Sequence, residues 1–220
     1  MSPVVNAFLL IYAGLFPVVN PVGGAPLFLG ATRHFTAAER HVLAVRVALN
    51  SLVLLVGSLF FGAAVLEFFG ITLPVVRIAG GLVVSVFGWT LLQGGGHVDG
   101  GPAATAGVRN PDAFYPLTMP LTVGPGSISV AITLGSQRPP HGPHFLSADY
   151  LSALALPAAG AIAGLIAISI TIFVCYRSAD RIGRVLGERG INVLTQLSAF
   201  IMLCIGIQIL WDGVSQLIHP

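Results

Sequence analysis

Six apolar stretches, separated by short polar connections, run the length of this 220-residue chain at 4–29, 42–66, 71–92, 113–134, 151–176 and 191–217. Each holds about 20 residues or more, which is what an α-helix needs to cross the hydrocarbon core of a bilayer. Two of the six are interrupted. Asn20-Pro21-Val22-Gly23-Gly24-Ala25-Pro26 breaks the first stretch, and Met119-Pro120-Leu121-Thr122-Val123-Gly124-Pro125-Gly126-Ser127 breaks the fourth, at matching places in the two halves. Proline has no N–H and glycine favours unwinding, so each break frees backbone polar groups at a depth where lipid offers no partner. Such breaks persist where protein, water or a solute satisfies those groups. A pair of them at corresponding positions points to a transport site.

Composition places the chain in the same class. It is 55% hydrophobic and 8% charged, with a mean hydropathy of +0.90, whereas a soluble domain carries about 25% charged residues. The chain therefore reads as an integral membrane protein. All ten basic residues are arginine, and they sit mostly in loops, so the net charge of +2 orients the protein and does not suggest a nucleic-acid partner. Cys175 and Cys204 lie in or beside apolar runs without metal-type spacing and read as packing residues. Met1-Ser2-Pro3-Val4 offers no positive n-region and no cleavage motif follows, so the first stretch is kept as a membrane span.

Arginine placement decides how the interrupted stretches run. The connections are 32–40, a tight turn at 67–70, a Gly-rich linker at 93–111, a Pro/His loop at 136–149 and a basic loop at 177–190. If all six stretches cross, Arg33, Arg40, Arg109, Arg177, Arg181, Arg184 and Arg189 share one side, with Arg138 opposite. If both interrupted stretches were re-entrant hairpins, the arginines would divide evenly. Basic loops stay cytoplasmic, so six crossings are expected, with both termini on the non-cytoplasmic side.

The halves echo each other beyond their breaks. Gly70-Ile71-Thr72 opens the third span and Gly190-Ile191-Asn192 the sixth, while Gly88-Trp89-Thr90-Leu91-Leu92 parallels Gly206-Ile207-Gln208-Ile209-Leu210 with a small offset. Three spans per half is an odd number, so two related halves must lie upside down relative to one another. The expected organisation is a first three-helix repeat at 1–92, a cytoplasmic linker at 93–111 and a second repeat at 112–220.

At each break, one half-helix would begin with unpaired N–H groups and partial positive charge while the other ends in unpaired carbonyls. Two such sites in opposite orientation could hold the carboxylate and the ammonium of a small zwitterion. Asn20, Thr118, Thr122, Ser127 and Ser129 add neutral hydrogen-bonding groups nearby. The alternative is two kinked helices whose freed groups are met by neighbours. Arg77, roughly two turns into the third span, either snorkels or pairs with Glu67, or else serves substrate or gating. Gly80, Gly81 and Gly88 beside it make a smooth face for helix approach. Arg46 at the start of the second span reads as an anchor.

No acid lies at a span centre. Any coupled ion would therefore be held by carbonyls and hydroxyls, or a proton would use Glu67, Asp112 or Asp212 near a mouth. His141 and His144 sit among prolines with no completing ligand and read as a solvated loop, so no metal is expected. Gly160-x-x-x-Gly164 is a close-packing motif.

Phe69-Gly70-Ile71-Thr72-Leu73-Pro74-Val75-Val76-Arg77-Ile78-Ala79-Gly80-Gly81-Leu82, Met119-Pro120-Leu121-Thr122-Val123-Gly124-Pro125-Gly126-Ser127-Ile128 and Asn20-Pro21-Val22-Gly23 together resemble the MarC/SnatA family of bacterial and archaeal inner-membrane proteins. The resemblance covers nearly the whole chain. It implies six spans and, for SnatA-type members, transport of small neutral amino acids such as glycine and alanine, dependent on the proton gradient. Many members have no established substrate. This chain departs from the family early in the sixth span, where Gln196-Leu197-Ser198-Ala199 stands in place of Arg-Leu-Met-Gly, so a symmetric partner for Arg77 is missing. The Pro/His loop at 136–149 is a further elaboration.

The expected protein is all-α, with six transmembrane helices as two inverted three-helix repeats and the first and fourth helices broken. Its expected function is secondary transport of small neutral amino acids by alternating access, with proton coupling as an option and no cofactor. Asn20, Pro21, Gly23, Gly24, Thr122, Gly124, Pro125, Gly126 and Ser127 would line a small cavity, with Arg77 as a further candidate. The alternatives are a passive channel or exporter for another small solute and an accessory membrane protein. Catalysis is not expected, because no nucleophile, base and orienting group converge in the spans.

Overall fold

A computed structural model describes residues 2–93, 112–136 and 148–218. The 93–111 linker beyond Gln93 and the core of the Pro/His loop, with Arg109, Arg138, His141 and His144, lie outside the described residues. The described chain is helical: α1 Pro3–Val19, α2 Pro21–Ala31, α3 Ala37–Phe68, α4 Leu73–Gln93, a π-helical turn Leu117–Thr122, α5 Pro125–Ser136, α6 Ala148–Arg177 and α7 Ala179–Ile218.

Local chemistry sets the helix ends. Ser2 caps α1 by accepting from the Val5 N–H, with Pro3 at the first helical position, where its missing N–H costs nothing. Thr36 and Glu39 close a reciprocal capping box at the start of α3. Gly70, with φ +67°, ends that helix, and the Ile71 N–H returns 2.9 Å to the Leu66 carbonyl in a Schellman closure. The expected tight turn is thus a glycine cap.

α3, α4, the 155–177 part of α6 and the 189–218 part of α7 are long and apolar enough to cross a membrane. α1 and α2 make a fifth span if the pair counts as one, bent by 41° at Asn20. The stretch 113–134 differs from expectation. Pro116, Pro120 and Pro125 withhold N–H donors at intervals too short for a continuous helix, leaving a six-residue π-helical turn and the 12-residue α5. At 1.5 Å per residue α5 is about 18 Å long, short of the roughly 30 Å hydrocarbon core. The basic connection at 177–190 also differs. It is helical on both sides of a break at Gly187 (φ 63°), with Arg177, Arg181, Arg184 and Arg189 exposed.

Packing follows small residues. α4 and α7 run antiparallel with their backbones in contact: a Cβ at Gly81 would stand 2.5 Å from the Leu210 nitrogen, one at Gly88 2.7 Å from the Leu203 nitrogen, and one at Gly213 2.8 Å from the Pro74 carbonyl. Gly80 turns instead toward Ser129 of α5, so the three glycines of α4 serve two neighbours. Gly160 and Gly164 of α6 let α1 approach through its Val4, Ala7, Phe8 and Ile11. Without a hydrophobic drive between helices in lipid, such close approach supplies the attraction. Val53, Phe61 and Phe68 of α3 are at least two-thirds exposed, as expected of lipid-facing surface. Cys175 borders the core and Cys204 is exposed; both are free.

Candidate functional site

The first break is built around Asn20. It adopts the left-handed conformation (φ 45°, ψ 59°), which asparagine tolerates. Its N–H closes α1 on the Phe16 carbonyl at 2.9 Å, while its side-chain oxygen accepts the Gly23 N–H at 3.2 Å and so caps α2. Pro21, Gly23 and Gly24 are buried. A Cβ at Gly23 would collide with Ser198 of α7, and one at Gly24 would stand 2.7 Å from the Tyr176 hydroxyl oxygen. Glycine is required at both positions by the approach of a neighbouring helix.

The second break answers some of its own freed carbonyls. Thr118 Oγ1 donates to the Ala113 carbonyl at 2.6 Å and Thr122 Oγ1 to the Leu117 carbonyl at 2.7 Å, while the Val123 N–H reaches the Thr118 carbonyl at 2.8 Å. Threonines and wide π-type bonds thus take the carbonyls of the turn itself, while the Met119, Pro120, Leu121 and Thr122 carbonyls at its end accept no hydrogen bond among the described residues. The start of α5 is less well satisfied. Gly124 has no side chain to act as a cap, and neither the Gly126 and Ser127 N–H groups nor the Ser127 hydroxyl has a hydrogen-bond partner among the described residues.

Tyr176 joins the two breaks. It is fully buried near the end of α6, stacks on Phe28 of α2 with ring centroids 4.5 Å apart, and places its hydroxyl 2.8 Å from Thr122 Oγ1 and against Gly24. Because the Thr122 hydroxyl donates its proton to Leu117, Tyr176 is the donor in their bond. Sequence reading missed it, since a tyrosine at the end of an apolar stretch reads as an interfacial residue.

A cavity of about 510 Å³ opens between α4, the second break and α7. Thr122, Gly124, Pro125, Gly126 and Ser127 line it, opposite Val84, Phe87 and Met202. Its volume falls in the lower half of the usual range for ligand pockets. Asn20, Pro21, Gly23 and Gly24 do not line it; Gly23 packs against Ser198 and Gly24 against Tyr176. Arg77 is also elsewhere. Half-buried on α4, it donates its Nε to Thr133 Oγ1 at 3.3 Å and forms no ion pair with Glu67, which is exposed. Ser129 spends its hydroxyl on the Val76 carbonyl at 3.1 Å. Arg46 lies exposed on α3.

Arg40 closes the opposite end. Its guanidinium donates to Thr32 Oγ1 (3.2 Å), to the Thr32 carbonyl (3.1 Å) and to the Phe35 carbonyl (3.2 Å), and pairs with Asp180 at the start of α7. This is the sole ion pair among the described residues.

The sequence profile of the MarC family integral membrane proteins matches residues 5–218. The chain belongs to the MarC family. It is 31% identical to the UPF0056 inner membrane protein MarC of Salmonella typhimurium over 93% of this chain and 92% of that one. It is 30% identical to a UPF0056 membrane protein of Pyrococcus abyssi over 97% of both chains, and 31% identical to the UPF0056 membrane protein YhcE of Escherichia coli over 92% and 89%. No solved structure matches it. Inner-membrane relatives and apolar helices together make this chain a multi-pass inner membrane protein.

Proposed function

We propose that this member of the MarC family is a secondary transporter of small neutral amino acids, of the glycine and alanine type, working by alternating access between two inverted repeats. The observation that carries the reading is the meeting of both breaks on one buried hydroxyl, with Gly24 and Thr122 against Tyr176. Breaks in two corresponding segments, brought together inside the bundle, are what a transport site at a repeat interface requires.

Helix packing supports the inverted repeat. Exchanging α2, α3 and α4 with α5, α6 and α7 returns α4 against α7 and α3 against α6, and turns α3 on α5 into α6 on α2, and α4 on α5 into α7 on α2. Exchanging α1 with the π-helical turn likewise turns α1 on α5 into the π-helical turn on α2. Six crossings are supported by parity. An Arg40–Asp180 pair on one side of the bilayer fits an even number of crossings between these residues, and with α3, α4 and α6 supplying three, a crossing by the broken 113–136 region would complete the set. Exposed arginines around that pair favour the cytoplasmic side, leaving both termini outside. A reporter fused after Pro220 and active only in the cytoplasm contradicts this orientation.

Thr122, Gly124, Pro125, Gly126 and Ser127 bind the solute in this reading, with the free N–H groups at the start of α5 suited to its carboxylate. Asn20, Pro21, Gly23 and Gly24 lie off the cavity. One observation favours a second reading: Val18, Leu82, Val84, Phe87 and Met202 make the cavity roomier and more apolar than glycine needs, as suits a channel or exporter for a less polar solute. Counterflow in proteoliposomes tests both. Exchange of glycine, alanine or serine by the wild type and its loss in Gly124→Leu supports the first reading, and accumulation against a gradient separates a coupled transporter from a passive channel. No exchange in either protein removes it.

A further inference from the structure

A second cavity, of about 380 Å³, lies at the end of the molecule away from Arg40 and Asp180, between the first turns of α4, the end of α5 and the last turns of α7. Arg77 and Asp212 both line it, with Thr133, Ser215 and Gln216 between. Neither charge forms an ion pair among the described residues. Arg77 engages only its Nε, on Thr133, and Asp212 accepts only from Gln208 Nε2 at 2.8 Å. The two outer nitrogens of the guanidinium therefore remain open, in the fork geometry that takes a carboxylate with two parallel hydrogen bonds. Arg77 is half-buried and Asp212 exposed, so the two charges stand at an open mouth of the cavity, each with hydrogen-bonding capacity that a ligand carrying both complementary charges would fill.

We infer that this cavity is an outer binding site for the α-carboxylate and α-ammonium groups of a free amino acid, with Arg77 taking the carboxylate and Asp212 the ammonium. The inference rests on the transporter reading and adds a loading site to it. Charge selects the ligand class. A simple anion is repelled by Asp212 and a simple cation by Arg77, so a zwitterion is favoured over either half of itself. α5 connects the two cavities: Ser129 borders the outer one and Ser127 the inner one. Between them the α4–α5 seam is closed by Gly80 against Ser129 and Gly126 against Val84.

The test titrates purified protein in lipid-free detergent with glycine, acetate and methylamine, and measures glycine counterflow in proteoliposomes, for wild type, Arg77→Gln and Asp212→Asn. Hydrogen bonds to charged groups of this kind predict that each variant weakens glycine binding and raises KM by about tenfold or more, with kcat little changed. Arg77→Lys and Asp212→Glu, which keep the charges, recover part of the loss, and unchanged size-exclusion profiles separate this from misfolding. Glycine binding that is unchanged or tighter in Asp212→Asn overturns the assignment. A wild type that exchanges glycine while both variants match it overturns the outer site alone. A wild type that neither binds nor exchanges glycine overturns the outer site together with the transporter reading.

Discussion

Gly24→Ala is the sharpest probe of the junction between the breaks. The new Cβ would stand 2.7 Å from the Tyr176 hydroxyl oxygen, and 3.3 and 3.5 Å from ring atoms Cε1 and Cζ. Tyr176 cannot swing aside, because its ring is fully buried and stacked on Phe28. Overpacking of this kind costs about 1–3 kcal/mol. Tyr176→Phe alone removes one donor to Thr122, whose own proton still reaches Leu117, so its cost is about 1 kcal/mol. In the double variant the oxygen is gone and only near-ordinary contacts remain. Most of the alanine penalty should then disappear, a favourable coupling of about 1–2 kcal/mol in a double-mutant cycle. Reversible unfolding by SDS in mixed micelles, followed by circular dichroism, measures it. Penalties that add to within about 0.5 kcal/mol refute a Gly24–Tyr176 contact, and with it the joining of the two breaks.

Further expectations follow from other contacts. Asn20→Gly should cost only a few tenths of a kcal/mol, while Asn20→Ala should cost about 0.5–2 kcal/mol or more, since alanine loses the cap and tolerates the positive φ poorly; equal unfolding midpoints for the two would argue against a capped left-handed break. Gly81→Ala meets backbone of α7 that no side-chain change can relieve and should destabilise by about 3 kcal/mol or more, whereas Gly57→Ala, with nothing within 4 Å, should be neutral or stabilising by up to about 1 kcal/mol. Thermal melts of the two variants in one detergent rank them. Asp180→Asn should cost about 1 kcal/mol or less because that side chain is 42% exposed, but Arg40→Gln should cost about 1–3 kcal/mol, as it strips the Thr32 and Phe35 carbonyls of a donor. The reverse order in the same melts would mean that the ion pair, and not the carbonyl contacts, holds this corner.

The chain itself determined that the protein lives in a bilayer, where four of its spans lie, and that the first stretch bends at Asn20. These are local facts, set by runs of apolar side chains and by prolines that cannot donate. It also placed Gly160, Gly164, Gly81 and Gly88 at helix contacts, because a missing Cβ is visible in one dimension. Tertiary structure decided the rest. Tyr176 meets Thr122 across 54 positions and Arg40 meets Asp180 across 140, pairs that no short pattern encodes. Which carbonyls a threonine takes and which stay open depends on how three prolines wind the backbone of 113–125, and the fold put the second break on the cavity and left the first off it. Likewise Arg77 and Asp212 share a cavity only because α4 and α7 pack antiparallel, bringing the start of one helix beside the end of the other.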